Sequence, residues 1–240
     1  MVALHGGGEY VTGDERAMDA LVAAGAAATR AAAGDVGPLR VVLVPTAAAR
    51  HRPELAAATG RRAFEAAAAR AGLLVEVGVA SVLDGRSAAD PGNVTRLETA
   101  HVIHLPGGDP DLLPAVLRGT PAWAAILRAY AAGACVAGAS AGAMALAERL
   151  WTRDGPVAGL GLVPGVAVLP HFDPGRAAAW RSVVDPDGRL TWLGLEERTL
   201  VIGRPGGIWT VAGAGRAHVI DPGAASPALS AVAGEVLSLA

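Results

Sequence analysis

Residues 133–150 restrict the fold more than any other segment, because they combine a short apolar strand, a glycine-flanked serine and the start of a helix. Residues 138–142 read Gly-Ala-Ser-Ala-Gly, with Ser140 at the centre. In this G-x-S-x-G pattern a serine occupies a sharp, strained turn between strand and helix, and its hydroxyl is exposed. Both glycines have a steric reason, because such a turn leaves no space for a Cβ. In a chain with 32 glycines the pattern also fits a tight strand-to-helix crossing without chemistry.

The segments before Ser140 alternate between apolar strands and helices, and most of the strands end in loops rich in glycine or proline. The predicted strands are residues 2–4, 41–44, 73–79 and 101–105, and the predicted helices are 15–33 after an Asp14 cap, 53–71 and 91–99. This alternation predicts a mostly parallel sheet with helices on both faces. Because ligands bind beyond the carboxyl ends of such strands, the glycines at 6–8, the pair Gly107-Gly108 and Ser140 are expected to share one cleft.

The second half of the chain is predicted to be antiparallel in character. We expect a loop at 155–165, a strand at 166–169, a helix at 174–184, two strands within 192–202 and a closing hairpin formed by 208–211 and 217–220. Residues 226–239 are compatible with either a helix or a strand. The fold class predicted is therefore α/β, as a single domain over residues 1–240 with a small antiparallel C-terminal extension.

Composition excludes several classes of function. The formal net charge of -2 argues against a nucleic-acid partner, which requires a concentrated basic face. The chain has no lysine, so a Walker-A phosphate loop and a Schiff-base lysine are both excluded. The single cysteine, Cys135, excludes an internal disulfide and is expected to be a buried small hydrophobe. No signal peptide is recognisable and glycines interrupt the longest uncharged run, so a cytoplasmic protein without a membrane span is expected.

A serine nucleophile needs a base, and that base needs a carboxylate to fix its tautomer. His171 is the best-placed histidine, because it follows a predicted strand as Ser140 does. Glu196 and Glu197 are the candidate carboxylates, and only one can reach His171 because adjacent residues in an extended chain point to opposite faces. Asp154 and Asp173 are reserves.

The other histidines offer less to such a site. His101 and His104 lie three apart on a strand and face opposite sides, so they are expected to be core or surface histidines. His5 and His51 lie in loops.

Five segments of the sequence together resemble the cyanophycinase and aspartyl-dipeptidase family of serine peptidases. They are residues 4–9, 105–109, 138–143, 170–172 and 194–199. The resemblance implies the class I glutamine amidotransferase-like fold, a flavodoxin-like three-layer arrangement. It also implies Ser140 as nucleophile, His171 as base and Glu197 as the orienting acid. The Gly107-Gly108 pair would then supply an oxyanion-hole N–H together with Ala141, whose N–H begins the helix after Ser140.

The expected reaction is hydrolysis of a small peptide or isopeptide through an acyl-enzyme, with an acidic residue on the acyl side. Arg176 or Arg181 is expected to pair with that carboxylate, and Asp109 is the second substrate-binding candidate. Leu169-Pro170 precede His171 and Pro110 follows Asp109, which departs from the cyanophycinase pattern and argues against the polymer cyanophycin as substrate. No metal or organic cofactor is implied, and a homodimer is kept as an expectation.

Two alternatives remain open at this stage. The first is an α/β-hydrolase esterase, in which residues 5–8, His-Gly-Gly-Gly, form the oxyanion motif and Ser140, Glu197 and His218 form the triad. Against it, a motif at residue 5 leaves no room for the strands that should precede it. The second is a noncatalytic binding protein that keeps the amidotransferase-like fold, because the polar residues expected around His171 are missing.

Overall fold

A computed structural model describes residues 1–34, 37–224 and 226–239, apart from the side chains of Pro174 and Arg176. The strands are β1 (Val2–His5), β2 (Leu39–Leu43), β3 (Val75–Val79), β4 (Val102–Leu105), β5 (Cys135–Ala139), β6 (Ala147–Thr152), β7 (Gly155–Ala158), β8 (Val163–Pro170), β9 (Thr191–Leu195), β10 (Thr199–Gly203), β11 (Ile208–Gly213), β12 (Ala217–Ile220), β13 (Leu229–Ala231) and β14 (Val236–Ser238). The α-helices are α1 (Glu15–Ala33), α2 (Pro53–Arg70), α3 (Pro91–Glu98), α4 (Leu112–Leu117), α5 (Pro121–Ala131), α6 (Ala141–Leu146) and α7 (Pro174–Val184). Short 3-10 helices span Pro45–Ala48 and Ser87–Ala89.

The larger sheet has eight strands in the order β14-β11-β10-β1-β5-β4-β2-β3. From β1 to β3 the neighbours are parallel, whereas β10, β11 and β14 pair antiparallel. Successive residues of its strands enter different cores, as a period of two requires. Ala3 packs with α1 and α2 on one face, and Val2 and Leu4 pack with α3, α5 and α6 on the other. The predicted α/β class with a mostly parallel sheet and helices on both faces is confirmed.

A second sheet has six strands in the order β13-β12-β9-β8-β6-β7, and it packs on the same core as α6. Its centre, β6, β8 and β9, is parallel, and its edges are antiparallel. The strands predicted within 192–202 form, but β9 and β10 belong to different sheets. The predicted hairpin is wrong for the same reason, because β11 pairs with β10 and β14 while β12 pairs with β9 and β13.

Three further segments differ from the expectation or complete it. Residues 155–165 are not simply a loop: they contain β7 and the start of β8, and Pro156 is tolerated because β7 is an edge strand. Residues 226–239 contain the short strands β13 and β14. Helices α4 and α5 lie in a stretch to which the sequence analysis assigned no structure. None of the described helices is long and apolar enough to cross a bilayer.

Candidate active site

Ser140 occupies the turn that the sequence predicts, between the end of β5 at Ala139 and the start of α6 at Ala141. Its backbone has φ 48° and ψ -110°, which is a strained conformation for a residue with a side chain. A Cβ on Gly138 would overlap the backbone of Gly142, and one on Gly142 would overlap the Leu105 carbonyl. Both glycines therefore have the steric role expected of them. The Ser140 N–H donates to the His5 carbonyl at 2.9 Å, which ties the turn to β1.

The structure brings the three predicted triad residues together. His171 Nε2 lies 3.0 Å from Ser140 Oγ, and His171 Nδ1 lies 2.9 Å from Glu197 Oε1. His171 directly follows β8, and Glu197 comes two residues after β9, its parallel neighbour, so their carboxyl ends are adjacent. The His171 and Glu197 side chains are 48% and 55% exposed, so this trio lies at a surface open to a substrate.

The neighbouring glutamate points elsewhere, which answers the question that the sequence left open. Glu196 Oε1 lies 3.0 Å from His218 Nε2, and His218 Nδ1 lies 2.8 Å from Ser230 Oγ. Phe172 stacks on His218 with the ring centroids 4.5 Å apart. His218 thus pairs with Glu196 rather than with Glu197. The triad of the α/β-hydrolase alternative is not assembled, and the strand order is that of the amidotransferase-like class.

The glycine loop after β1 supports the imidazole of His171 from behind. The Gly6 carbonyl accepts from the His171 N–H at 2.7 Å, and the Gly7 carbonyl accepts from the Arg198 N–H at 2.7 Å. Gly7 has φ 101°, and a Cβ there would overlap the His171 ring. Only glycine allows this approach. The sequence predicts only that these glycines line the shared cleft, and the run of three glycines was the available signal for their packing against His171.

A buried histidine–carboxylate pair holds this loop. The side chains of His5 and Asp14 are 4% and 1% exposed, and His5 Nε2 lies 2.8 Å from Asp14 Oδ1. Because the Gly7 N–H donates to His5 Nδ1 at 3.1 Å, the proton of His5 belongs on Nε2, which donates to Asp14. Asp14 Oδ2 accepts from the Tyr10 N–H at 2.9 Å. Asp14 occupies the N-cap position of α1 as predicted, but its side chain bonds His5 and Tyr10 instead of the N–H groups of the first turn.

The backbone groups predicted to hold an oxyanion lie beside Ser140. A Cβ built on Gly107 would stand 3.3 Å from Ser140 Cβ, and the Ala141 N–H begins α6 directly after Ser140. Gly108 has φ 149°, and a Cβ there would overlap the Ala47 carbonyl. The Gly107 N–H donates to Glu9 Oε1 at 2.8 Å. Sequence reasoning missed Glu9, although it directly follows the glycine loop.

The predicted substrate-binding residues have different surroundings. The Asp109 side chain is 13% exposed, and Arg50 Nη1 lies 3.6 Å and His51 Nε2 3.4 Å from its carboxylate. Arg153 Nη2 reaches the same carboxylate at 4.0 Å. The Arg176 side chain lies outside the described part of the structure. Arg181 lies on α7.

An apolar pocket of about 170 Å³ adjoins His171. Besides His171 it is lined by Leu169, Pro170, Phe172, Asp173, Ala177 and Trp180. The pocket lies where β8 passes into α7, on the imidazole that contacts Ser140.

Burial shifts the pKa values of two groups on the strands behind the site. Burial lowers the pKa of His104 to about 3, so its ring is neutral and Nδ1 shares a 2.8 Å hydrogen bond with the Tyr10 hydroxyl. Burial raises the pKa of the Cys135 thiol to about 11. Cys135 is the buried small hydrophobe that the sequence predicts.

The chain has the class I glutamine amidotransferase-like fold that the resemblance implies, as do the similar solved structures. The sequence model of peptidase family S51 matches residues 27–208, and the chain belongs to that family. The resemblance to the cyanophycinase and aspartyl-dipeptidase family is thereby confirmed.

Two solved structures are similar to the chain. A peptidase from an acI-B1 actinobacterium is 27% identical with a TM-score of 0.76, covering 99% of this chain and 96% of that one. A putative peptidase E protein from Listeria monocytogenes EGD-e is 18% identical with a TM-score of 0.55, covering 89% of this chain and 98% of that one, and it supports the fold alone. No curated protein matches the sequence significantly.

Proposed function

We propose that this chain is a serine-type peptidase that hydrolyses a small peptide or isopeptide through an acyl-enzyme. The observation that carries the proposal is the unbroken contact from Ser140 Oγ through His171 to Glu197, at 3.0 and 2.9 Å. Family S51 membership supports peptidase activity, and the strained turn at Ser140 supports a nucleophile there.

In this mechanism the Ser140 oxygen attacks the scissile carbonyl while His171 Nε2 takes its proton. His171 then returns that proton to the leaving amine, and Glu197 stabilises the imidazolium by accepting from Nδ1. A water molecule then attacks the acyl-enzyme while His171 takes its proton, and His171 returns that proton to Ser140 Oγ as the acid product leaves. The Ala141 N–H and the Gly107-Gly108 turn would bind the oxyanion, each donor contributing about 10²- to 10³-fold to kcat.

The surroundings of Ser140 suggest how a substrate is held. The apolar pocket beside His171 fits the side chain of the leaving residue, because His171 protonates the leaving amine. We keep an acidic acyl-side residue as the substrate class, with Arg176 as the cation that pairs with its carboxylate. Asp109 stays the second substrate-binding candidate, and Arg50 and Arg153 lie near it. We also infer a cytoplasmic location, with which the single cysteine is compatible and which subcellular fractionation would test.

The test is intact-mass spectrometry after treatment with a small fluorophosphonate. We expect one adduct on the wild type, no adduct on Ser140→Ala, and strongly slowed labelling of His171→Ala. Ser230→Ala is the matched control, because Ser230 also contacts a histidine that contacts a glutamate. A panel of aspartyl dipeptides with apolar second residues then measures hydrolysis. Ser140→Ala hydrolysing the best of them as fast as the wild type would refute the proposal.

The noncatalytic alternative is favoured by one observation. The Gly107 N–H, which the mechanism offers as a donor to the oxyanion, already donates to the carboxylate of Glu9. Folded wild-type protein that neither reacts with the fluorophosphonate nor hydrolyses any peptide of the panel would favour this alternative.

A further inference from the structure

Glu9 places a carboxylate beside the candidate nucleophile. Its Oε1 accepts from the Gly107 N–H at 2.8 Å, and a Cβ on Gly107 would touch both this oxygen, at 2.8 Å, and Ser140 Cβ, at 3.3 Å. Nothing in the triad chemistry uses this acid. Its place in the reaction therefore needs a separate explanation.

The backbone on both sides of Glu9 is held in an unusual conformation. Gly8 has φ 69° and Tyr10 has φ 68°, which is uncommon for a residue with a side chain. The Tyr10 N–H donates to buried Asp14, and the Tyr10 hydroxyl contacts buried His104. Such strain persists where surrounding contacts over-determine it, and it concentrates at functional sites. The fold thus fixes where the Glu9 side chain starts.

A carboxylate at this position opposes catalysis unless a cation joins it. An oxyanion formed on the substrate would need an N–H that Glu9 now occupies, and the two negative charges would repel each other. Glu9 forms no ion pair with any residue that the structure describes. The missing positive charge can therefore come from the substrate.

An unblocked peptide carries such a charge next to its first carbonyl group. The α-ammonium nitrogen is two covalent bonds, about 2.5 Å, from the carbonyl carbon of the same residue. If that carbonyl lies against Ser140, the ammonium lies within reach of a carboxylate that contacts Gly107. A charge-assisted hydrogen bond between them contributes to affinity and fixes orientation.

We propose that Glu9 is the residue that selects substrates with a free amino terminus. It binds the α-ammonium of the acyl-side residue, transfers its contact from the Gly107 N–H to that ammonium, and so frees the N–H for the oxyanion. The chain then cleaves after the first residue of unblocked peptides. This inference rests on the proposed function, because it requires Ser140 to be the nucleophile.

The test compares two covalent probes of Ser140 that differ only at the amine. They are an aspartate-derived α-aminoalkyl diphenyl phosphonate and its N-acetyl form. In each, Ser140 Oγ bonds to phosphorus, a phenoxide leaves, and His171 takes the serine proton. Intact mass gives the second-order rate of labelling for the wild type, Glu9→Gln and Glu9→Ala. Glu148→Gln is the matched control, because the Glu148 carboxylate also accepts from a glycine N–H, that of Gly165 at 2.7 Å.

We expect the wild type and Glu148→Gln to react roughly 10- to 100-fold faster with the free amine than with its acetylated form, the range of one charge-assisted hydrogen bond. In both Glu9 variants this ratio should fall below about threefold. Their reaction with the acetylated probe should become faster, because the anion beside Gly107 is gone. A variant that was merely misfolded would react more slowly with both probes.

Two outcomes overturn the proposal, and they are distinguishable. Equal rates for the two probes with the wild type, or an unchanged ratio in Glu9→Gln, would refute the role of Glu9 and leave the serine mechanism standing. Failure of both probes to label folded wild-type protein would refute the serine mechanism, and the role of Glu9 with it.

Discussion

Two serine–histidine–glutamate trios lie side by side in this molecule, and they use consecutive glutamates. Ser140, His171 and Glu197 form one, and Ser230, His218 and Glu196 form the other. All four contacts measure between 2.8 and 3.0 Å. Hydrogen-bond distances alone therefore do not distinguish them.

The backbone around each serine does distinguish them. Ser140 has φ 48° and directly precedes helix α6, and a Cβ built on Gly107 would stand 3.3 Å from Ser140 Cβ. Ser230 lies on β13 directly opposite His218 of β12, which is an ordinary cross-strand pair. The ring nitrogens are also exchanged, since Ser140 contacts Nε2 of its histidine and Ser230 contacts Nδ1. We interpret the second trio as a support for the sheet that carries Glu197.

Phe172 lies between the two trios, next to His171 in the chain and in contact with His218. It stacks on the His218 ring, with the centroids 4.5 Å apart. A Cβ on Gly194 would overlap the Phe172 ring, so glycine at that position of β9 makes room for the stack. The two relays of hydrogen bonds therefore differ in their backbone surroundings, because only Ser140 lies at a strained strand-to-helix turn.

The largest expected difference is between the two serines. Ser140→Ala should lower kcat for the best aspartyl dipeptide by about 10³-fold or more, because it removes the nucleophile. Ser230→Ala should stay within about twofold of the wild type, because it loses only a neutral surface hydrogen bond. Steady-state hydrolysis rates at matched protein folding, checked by circular dichroism, measure both. Equal losses in the two variants would break the distinction between the trios.

The two glutamates should differ almost as much. Glu197→Gln should lower kcat by roughly 10²- to 10⁴-fold, since an amide facing His171 Nδ1 favours the wrong tautomer for catalysis. Glu196→Gln should change kcat by less than about threefold, because Glu196 contacts His218 rather than His171. Rates measured across a pH series check both variants. A greater loss in Glu196→Gln than in Glu197→Gln would reverse the assignment of the two acids.

The buried pair of His5 and Asp14 belongs only to the surroundings of Ser140, because it positions the backbone of Gly7 against the His171 ring. Asp14→Asn should slow fluorophosphonate labelling of Ser140 by about 10- to 100-fold. The amide stabilises the His5 tautomer with its proton on Nδ1, which then opposes the Gly7 N–H. In His5→Asn the side-chain oxygen can accept from Gly7, and adding Asp14→Asn should then cost little further. Additive losses in this double-mutant cycle would show that the two residues act independently, which would contradict the tautomer mechanism.

The smallest effect concerns a histidine that belongs to neither trio. Folding lowers the pKa of His104 from 6.5 to about 3. Between pH 6.5 and pH 3, therefore, His104 is largely protonated in the unfolded chain and neutral in the folded chain. His104 therefore lowers stability as the pH falls from 6.5 towards 3, by about 1.4 kcal/mol per unit once the unfolded side chain is protonated. His104→Asn keeps a partner for Tyr10 and should lose less stability between pH 6 and pH 5. Urea unfolding at the two pH values measures this, and equal losses in the two proteins would contradict it.

Much of the site was predictable because its parts are local. The turn at Ser140 needs two glycines at fixed spacing, and an apolar strand leads directly to His171. The apolar runs of the first half likewise predicted the parallel strands, because buried strands and amphipathic helices differ in period. The elbow, the candidate base and the α/β class therefore follow from local patterns of residues.

The pairing of distant segments, in contrast, depends on contacts that no local pattern encodes. The alternation of residues shows that Glu196 and Glu197 face opposite ways, but the register of β9 with β8 and β12 decides that Glu197 meets His171 and Glu196 meets His218. The predicted hairpin of residues 208–211 and 217–220 was wrong for a similar reason, because the sequence of a short apolar strand does not show which strand it pairs with. The contact of Glu9 with Gly107 joins residues 98 positions apart, and no spacing rule reaches that far.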